Sequence, residues 1–217
     1  MTFSLIARCA TTGAFGYAAA TSNIGVGARL CALAAGVGGV LTQHRTDPRL
    51  APRGVALLQS GCDARHTIAA LVASTPDHGW RQLAAIDAQG GTAHFHGERV
   101  KPARGAAHGP DVVAIGNILA NDQVPDAMVA AFQGAGGALA DRLLVALAAG
   151  EAAGGEHGPV VSAALRIVTD QDFPYADLRV DRAADPITTL AGLWADYAPW
   201  ADEFVLRALT PDAARGG

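Results

Sequence analysis

The chain has 217 residues, half of them apolar and 17% charged, with a formal net charge of −4. It holds 48 alanines and one lysine, Lys101, so the other 15 of its 16 basic residues are arginine. The larger apolar residues suffice for one core, which predicts a single domain over 1–217, and the near-neutral charge without a basic stripe excludes nucleic acid as a partner. The longest uncharged apolar stretch, Leu30 to Leu41, is too short to cross a bilayer, so no membrane partner is expected. The opening residues lack a basic region followed by a long apolar one, so they do not read as a signal peptide. Cys9, Cys31 and Cys62 are odd in number and without paired spacing, which fits a reducing, cytoplasmic setting.

In chain order, Phe3 to Ala7 and Phe15 to Thr21 read as two strands around the turn residues Thr11-Thr12-Gly13. Gly36 to Thr42 is apolar and glycine-dense, the composition of a buried strand that another backbone approaches closely. Helices follow over Pro52 to Ser60 and Asp63 to Ser74, the second with Asp63 as N-cap and Ile68, Leu71 and Val72 on one face. Gln82 to Asp87 and Thr92 to His96 form a predicted hairpin, and Val112 to Ile115 a further strand. Two helices carry Met128 with Phe132, then Leu139, Leu143 and Leu147, at i, i+4 spacing. Ser162 to Val168 is a strand. Asp185-Pro186 opens a C-terminal helical segment, 185–209, buried along Ile187, Leu190, Leu193, Trp194 and Tyr197, with a frayed tail beyond it. Without regular β-α alternation, this order predicts an α+β layered domain with antiparallel sheet.

Several motifs fail on chemistry. Gly134-Ala135-Gly136-Gly137 precedes a helix, but a phosphate loop needs a Gly-Lys pair and the only lysine is remote in sequence. His94 and His96 project from one face of a strand, as two metal ligands would, yet no nearby side chain completes a set, and no metal or other cofactor is expected. Cys9 reads as a small core residue. Thr2 carries more. Removal of Met1 would make it N-terminal, giving its hydroxyl a general base on the same residue, an α-amine of pKa about 7.7–8.0. Strand alternation puts the hydroxyls of Thr2 and Ser4 on one face.

The chain resembles the domain of unknown function 1028 family, a bacterial and archaeal family placed in the Ntn (N-terminal nucleophile) hydrolase-like group. The resemblance rests on collinear stretches over about residues 2 to 182. They include Thr2 to Arg8, Ala34 to Gln43, Pro52 to Leu58, Arg81-Gln82-Leu83, Gly116-Asn117-Ile118-Leu119, Ala152 to Gly155 and Ser162 to Leu165. It implies a four-layer αββα sandwich and an amidohydrolase acting on a small amide or acylated compound, without a cofactor. Thr2 would be nucleophile and base, and Asn117 an oxyanion donor. Ser4, Ser22, Asn23, Thr42 and Gln43 would bind substrate. The family pattern has glutamine at the positions of Ile115 and Val161, and better characterised Ntn hydrolases use a lysine beside the nucleophile. Sequence distance predicts that Lys101 is not that lysine, leaving Arg8, Arg29 or Arg45 to supply the positive charge. A binding or structural protein that keeps the sandwich and has lost the site is the alternative. Trp194, Trp200 and Phe204 offer an aromatic surface for a homo-oligomer.

Overall fold

A computed structural model describes residues 1–215; 216 and 217, the end of the expected frayed tail, lie outside it. Among the described residues ten strands form two antiparallel sheets. The larger sheet has the order β10-β9-β2-β1-β8-β7. Its strands are β1 (Thr2–Arg8), β2 (Phe15–Thr21), β7 (Arg104–Gly109), β8 (Val112–Asn117), β9 (Ser162–Val168) and β10 (Ala176–Val180). The smaller has the order β3-β4-β5-β6, from β3 (Cys31–Ala34), β4 (Gly38–Gln43), β5 (Gln82–Asp87) and β6 (Thr92–His96).

The helices cover the outer faces. Helices α1 (Leu50–Gln59) and α2 (Ala64–Ala73) close a core with Val40, Leu83 and Ala85 of the smaller sheet. Helices α3 (Val124–Gly134), α4 (Leu139–Ala152) and α5 (Pro186–Tyr197) pack on Phe3, Leu5, Ala18 and Leu165 of the larger one. Between the sheets lies a third core, with Ile6, Phe15, Tyr17 and Ile115 facing Leu41, Ala84 and Ile86. These layers are αββα. Helix α6 (Ala201–Leu209) follows α5 with only Ala201 buried, leaving Trp200 and Phe204 47% and 38% exposed.

The expected strands and helices all form, with ends shifted by a few residues, and Asp63 and Asp185 cap α2 and α5 through the backbone N–H groups of His66 and Thr188. Three strands were not expected: β3, β7 and β10. Their sequences, CALA, RGAAHG and ADLRV, lack sustained alternation, and each is an edge strand held mainly by a neighbour's ladder. The glycine-dense strand behaves as its composition predicts. At Gly38, with φ +135°, an added Cβ would stand 2.2 Å from the Ile86 carbonyl oxygen.

Candidate active site

Strand β1 is the third interior strand of the larger sheet, and its alternation sorts the candidate residues. Phe3 and Leu5 enter the helix-side core, while Ile6 enters the inter-sheet core and Ser4, on the same face, reaches across to Gln43 of β4. Thr2 stands opposite Asn117 of β8 in the ladder, so both side chains project to that inner face.

A buried chain of side-chain hydrogen bonds runs from there. Ser4 donates to Gln43 Oε1 at 2.8 Å, Gln43 Nε2 donates to Gln82 Oε1 at 2.6 Å, and Asn117 Nδ2 donates to the same oxygen at 2.9 Å. Ser4, Gln43, Gln82 and Asn117 are each 0% exposed. Four buried polar side chains in one network are tolerated because they satisfy one another. Asn117 Oδ1 alone lacks a partner. Gln82 is a site residue the sequence reasoning missed, since one glutamine at a strand start carries no signal until β4 and β5 are paired.

At the open end of the strand, Thr2 Oγ1 lies 3.3 Å from Thr21 Oγ1, and both hydroxyls bond to the Met1 carbonyl oxygen. Glu156 approaches from the turn after α4, where Gly154 and Gly155 adopt φ of +121° and +55°. Its carboxylate accepts the Ser22 N–H at 3.1 and 3.3 Å, and burial raises its pKa to about 6. Burial also lowers the pKa of the Met1 α-amine, opposed by the charge of Glu156 and assisted by Arg29 and Lys101. Glu156 was missed as well, because it follows a helix by a glycine pair that reads as a simple turn.

Lys101 corrects the expectation drawn from its sequence position. The loop after β6 returns it to this end of the sheets, where its charge acts on both the Met1 amine and His44, and its N–H points at His44 Nε2 at 3.4 Å. His44 Nδ1 is 2.9 Å from the Trp80 carbonyl, so Nδ1 carries the proton and Nε2 accepts. Of the three arginines, Arg29 alone acts on the amine, with its guanidinium held by the carbonyls of Ile24 and Gly25. Arg8 pairs with Asp111, and Arg45 lies over the Trp80 ring.

The remaining candidates separate. Ser22 is half-buried and contributes its N–H to Glu156; Asn23 is exposed and contributes its carbonyl to Ser162 Oγ at 2.7 Å. Thr42 alternates to the opposite face from Gln43, the face on which Val40 packs against α1 and α2, so it does not reach Thr2. Ile115 fills the inter-sheet core directly opposite Ser4. Cys9, at the other end of β1, is half-buried rather than core, and lines a cavity of about 620 Å³ with Trp194, Tyr175 and Asp141. Burial pushes its thiol up, but hydrogen bonds to Thr12 bring it below its ordinary value. Among the described residues no group of three or more His, Cys, Asp or Glu could hold a metal, and no helix is long and apolar enough to cross a membrane.

The model of a family of unknown function (DUF1028) matches residues 2–190. The chain belongs to that family. A crystal structure assigned to the same family, of a protein from Silicibacter pomeroyi, is 31% identical with a TM-score of 0.85, over 93% of this chain and 94% of that one. Fainter likenesses join it to Anbu, the ancestral beta-subunit, from Yersinia bercovieri, at 11% identity and a TM-score of 0.40 over 91% of this chain and 95% of that one. The Gly-1 mutant of Anbu from Hyphomicrobium sp. strain MC1 is 14% identical with a TM-score of 0.44, over 93% and 96%. None of the curated proteins matches the chain.

Proposed function

We propose that this member of the family is an Ntn-type amidohydrolase that cleaves a small amide or acylated compound through Thr2. The observation that carries the reading is the convergence at the head of β1: the Thr2 hydroxyl, the Asn117 carboxamide, the Glu156 carboxylate and the charges of Arg29 and Lys101 meet around the first peptide unit.

Loss of Met1 turns the Thr2 amide into an α-amine in that setting. An α-amine has an ordinary pKa of about 7.7–8.0, so part of it is free base at neutral pH. Thr2 Oγ1 attacks the substrate carbonyl carbon while its proton passes to the α-amine. The oxyanion takes an N–H of Asn117, a donation worth about 3–4 kcal/mol of transition-state stabilisation. The ammonium then gives the proton to the departing nitrogen, the C–N bond breaks, and Thr2 holds the acyl group as an ester. Water, deprotonated by the same amine, hydrolyses the ester and restores the hydroxyl. Glu156 offsets the positive charge that forms on the amine in each half. The modest charge of the chain suits a small substrate and no cofactor.

The second reading, a binding scaffold without catalysis, draws support from Ile115, an apolar side chain opposite Ser4 where the family pattern is polar. Intact mass of protein from its native host, followed by an amide panel with wild type and Thr2→Ala, separates the two. Catalysis requires Met1 to be absent and hydrolysis to fall by about 10³-fold in Thr2→Ala. Retained Met1, or equal hydrolysis by both proteins, rejects Thr2 as the nucleophile.

A further inference from the structure

The network around Gln82 has one end that the proposed chemistry leaves unused. Backbone carbonyls fix how its amides point. The Gly116 carbonyl oxygen lies 2.7 Å from Gln82 Nε2, and a carbonyl only accepts, so the Gln82 NH2 group must face Gly116. Its Oε1 is thereby turned to Gln43 and Asn117, whose N–H groups it receives. The same Gln82 NH2 faces His96 Nδ1 of β6 at 3.5 Å. With a donor on that side, Nδ1 must accept, so His96 is neutral and carries its proton on Nε2, an atom buried without a partner.

Few charged groups face His96. On its own strand, the His94 ring stands edge-on at 4.9 Å. On β7, Arg104 acts on it by charge, and His108 is hydrogen-bonded to His94, Nε2 to Nδ1, at 2.7 Å, with the Thr92 hydroxyl 2.7 Å from His108 Nδ1. Gln82 of β5 and Asn117 of β8 are neutral. No carboxylate is among the groups that act on His96.

We infer that His96 is a positioning residue of the candidate site: its unprotonated Nδ1 acts with the Gly116 carbonyl to hold the Gln82 carboxamide in the orientation that aims Gln43 and Asn117, and a proton on His96 works against that orientation. The inference rests on the role proposed above for Asn117. A proton on Nδ1 sets N–H against N–H. Turning the Gln82 carboxamide relieves that contact, but it sets the Gln82 NH2 against Gln43 Nε2 and Asn117 Nδ2, and its oxygen against the Gly116 carbonyl. The partner that fixes the Asn117 N–H is lost. Burial first, then the charges of His94 and Arg104, lower the pKa of His96 to about 4, so the aimed form holds at neutral pH.

NMR of the ¹⁵N-labelled full chain tests this. At pH 7, His96 is expected as the Nε2–H tautomer, and on acidification the carboxamide signals of Gln43, Gln82 and Asn117 should shift together with the His96 midpoint. His96→Asn presents an acceptor that does not titrate, and should leave those signals in place at pH 7 and flat on acidification. His96→Phe removes the acceptor and should displace them already at pH 7, a readout that survives even if acid unfolds the protein. Replacing His94 or His108 by Asn should keep the coupling. An Nδ1–H tautomer, carboxamide signals indifferent to His96→Phe, or a midpoint that follows His94 overturns the inference. If hydrolysis is present, its rate should fall about tenfold per pH unit below the His96 midpoint in wild type and not in His96→Asn. An enzyme dead in the amide panel with the NMR coupling intact would instead reject the role of Thr2.

Discussion

The two ends of β1 solve opposite problems. At its start, Ser4 joins a buried polar cluster in which Asn117 Oδ1 alone lacks a partner, with 0% exposure at Ser4, Gln43, Gln82 and Asn117, and Thr2 stands beside it at the strand's open end. At its far end, Cys9 borders a cavity of about 620 Å³ walled by Leu139, Ile167, Tyr175 and Trp194. Size would favour the far end as the place for a ligand. Chemistry favours the near end, because titratable and hydrogen-bonding groups converge there on one hydroxyl, and the Met1 backbone occupies the space in front of it. In this fold the cavity beside Cys9 and the proposed catalytic constellation are different places.

Substitutions at each end should therefore differ in kind. Trp194→Ala, which empties a buried indole and unpairs Asp141 from its 2.7 Å bond, is expected to cost about 3–5 kcal/mol in denaturant unfolding while leaving the kcat/KM of the proposed hydrolysis unchanged. A loss of kcat/KM there would join the two ends and break the contrast. Gln82→Leu takes the side-chain partner from Asn117 Nδ2 and the Gly116 carbonyl and leaves Gln43 Nε2 only its longer contacts with the Thr2 and Ile115 carbonyls, and should cost about 2–4 kcal/mol together with most of the proposed hydrolysis.

The pH dependence of stability sharpens the near end further. Glu156 has a folded pKa raised from 4.5 to about 6, so the folded state binds the extra proton, and its contribution is complete below pH 4.5 and lost as pH rises through 6. Glu156→Gln should then gain about 2 kcal/mol at pH 7 relative to its effect at pH 4, by the 1.36 kcal/mol per pKa unit of linkage. His96 has the opposite sign. Its folded pKa is lowered from 6.5 to about 4, so its contribution is present above pH 6.5 and lost as pH falls through 4. Thermal unfolding of wild type, Glu156→Gln and His96→Asn from pH 4 to 7 separates the two. The smallest effect belongs to neither end: Asp185→Ala removes the cap of α5 and should cost about 1 kcal/mol with activity intact.

What could be read from the sequence follows from which signals are local. The strands β1, β2, β5, β6 and β9 announce themselves by apolar runs between turn residues, and Asp63 and Asp185 mark their helices by caps that act within one turn. Edge strands such as β7 and β10 are shaped by their neighbours, so their own residues say little. The site divides in the same way. Thr2, Ser4, Gln43 and Asn117 lie at strand positions whose alternation or resemblance exposes them. Gln82, Glu156 and Lys101 come from distant segments, and only the pairing of β4 with β5, the turn after α4 and the loop after β6 bring them together. Thr42 was misplaced by one residue of alternation, which in a strand is a whole face.

If Thr2 acts as proposed, the position of β1 between β2 and β8 would set a clock on the removal of Met1. Chain ends commonly fray, but this one is laddered on both sides, and its register with β8 joins residues more than 100 apart in sequence. During synthesis the first residues emerge long before β8 exists and are open to a peptidase. Once the larger sheet closes, both threonine hydroxyls hold the Met1 carbonyl. The order of two events, trimming and sheet closure, would decide how much of the population carries a free Thr2, and slowing one relative to the other would change that fraction without altering a single residue.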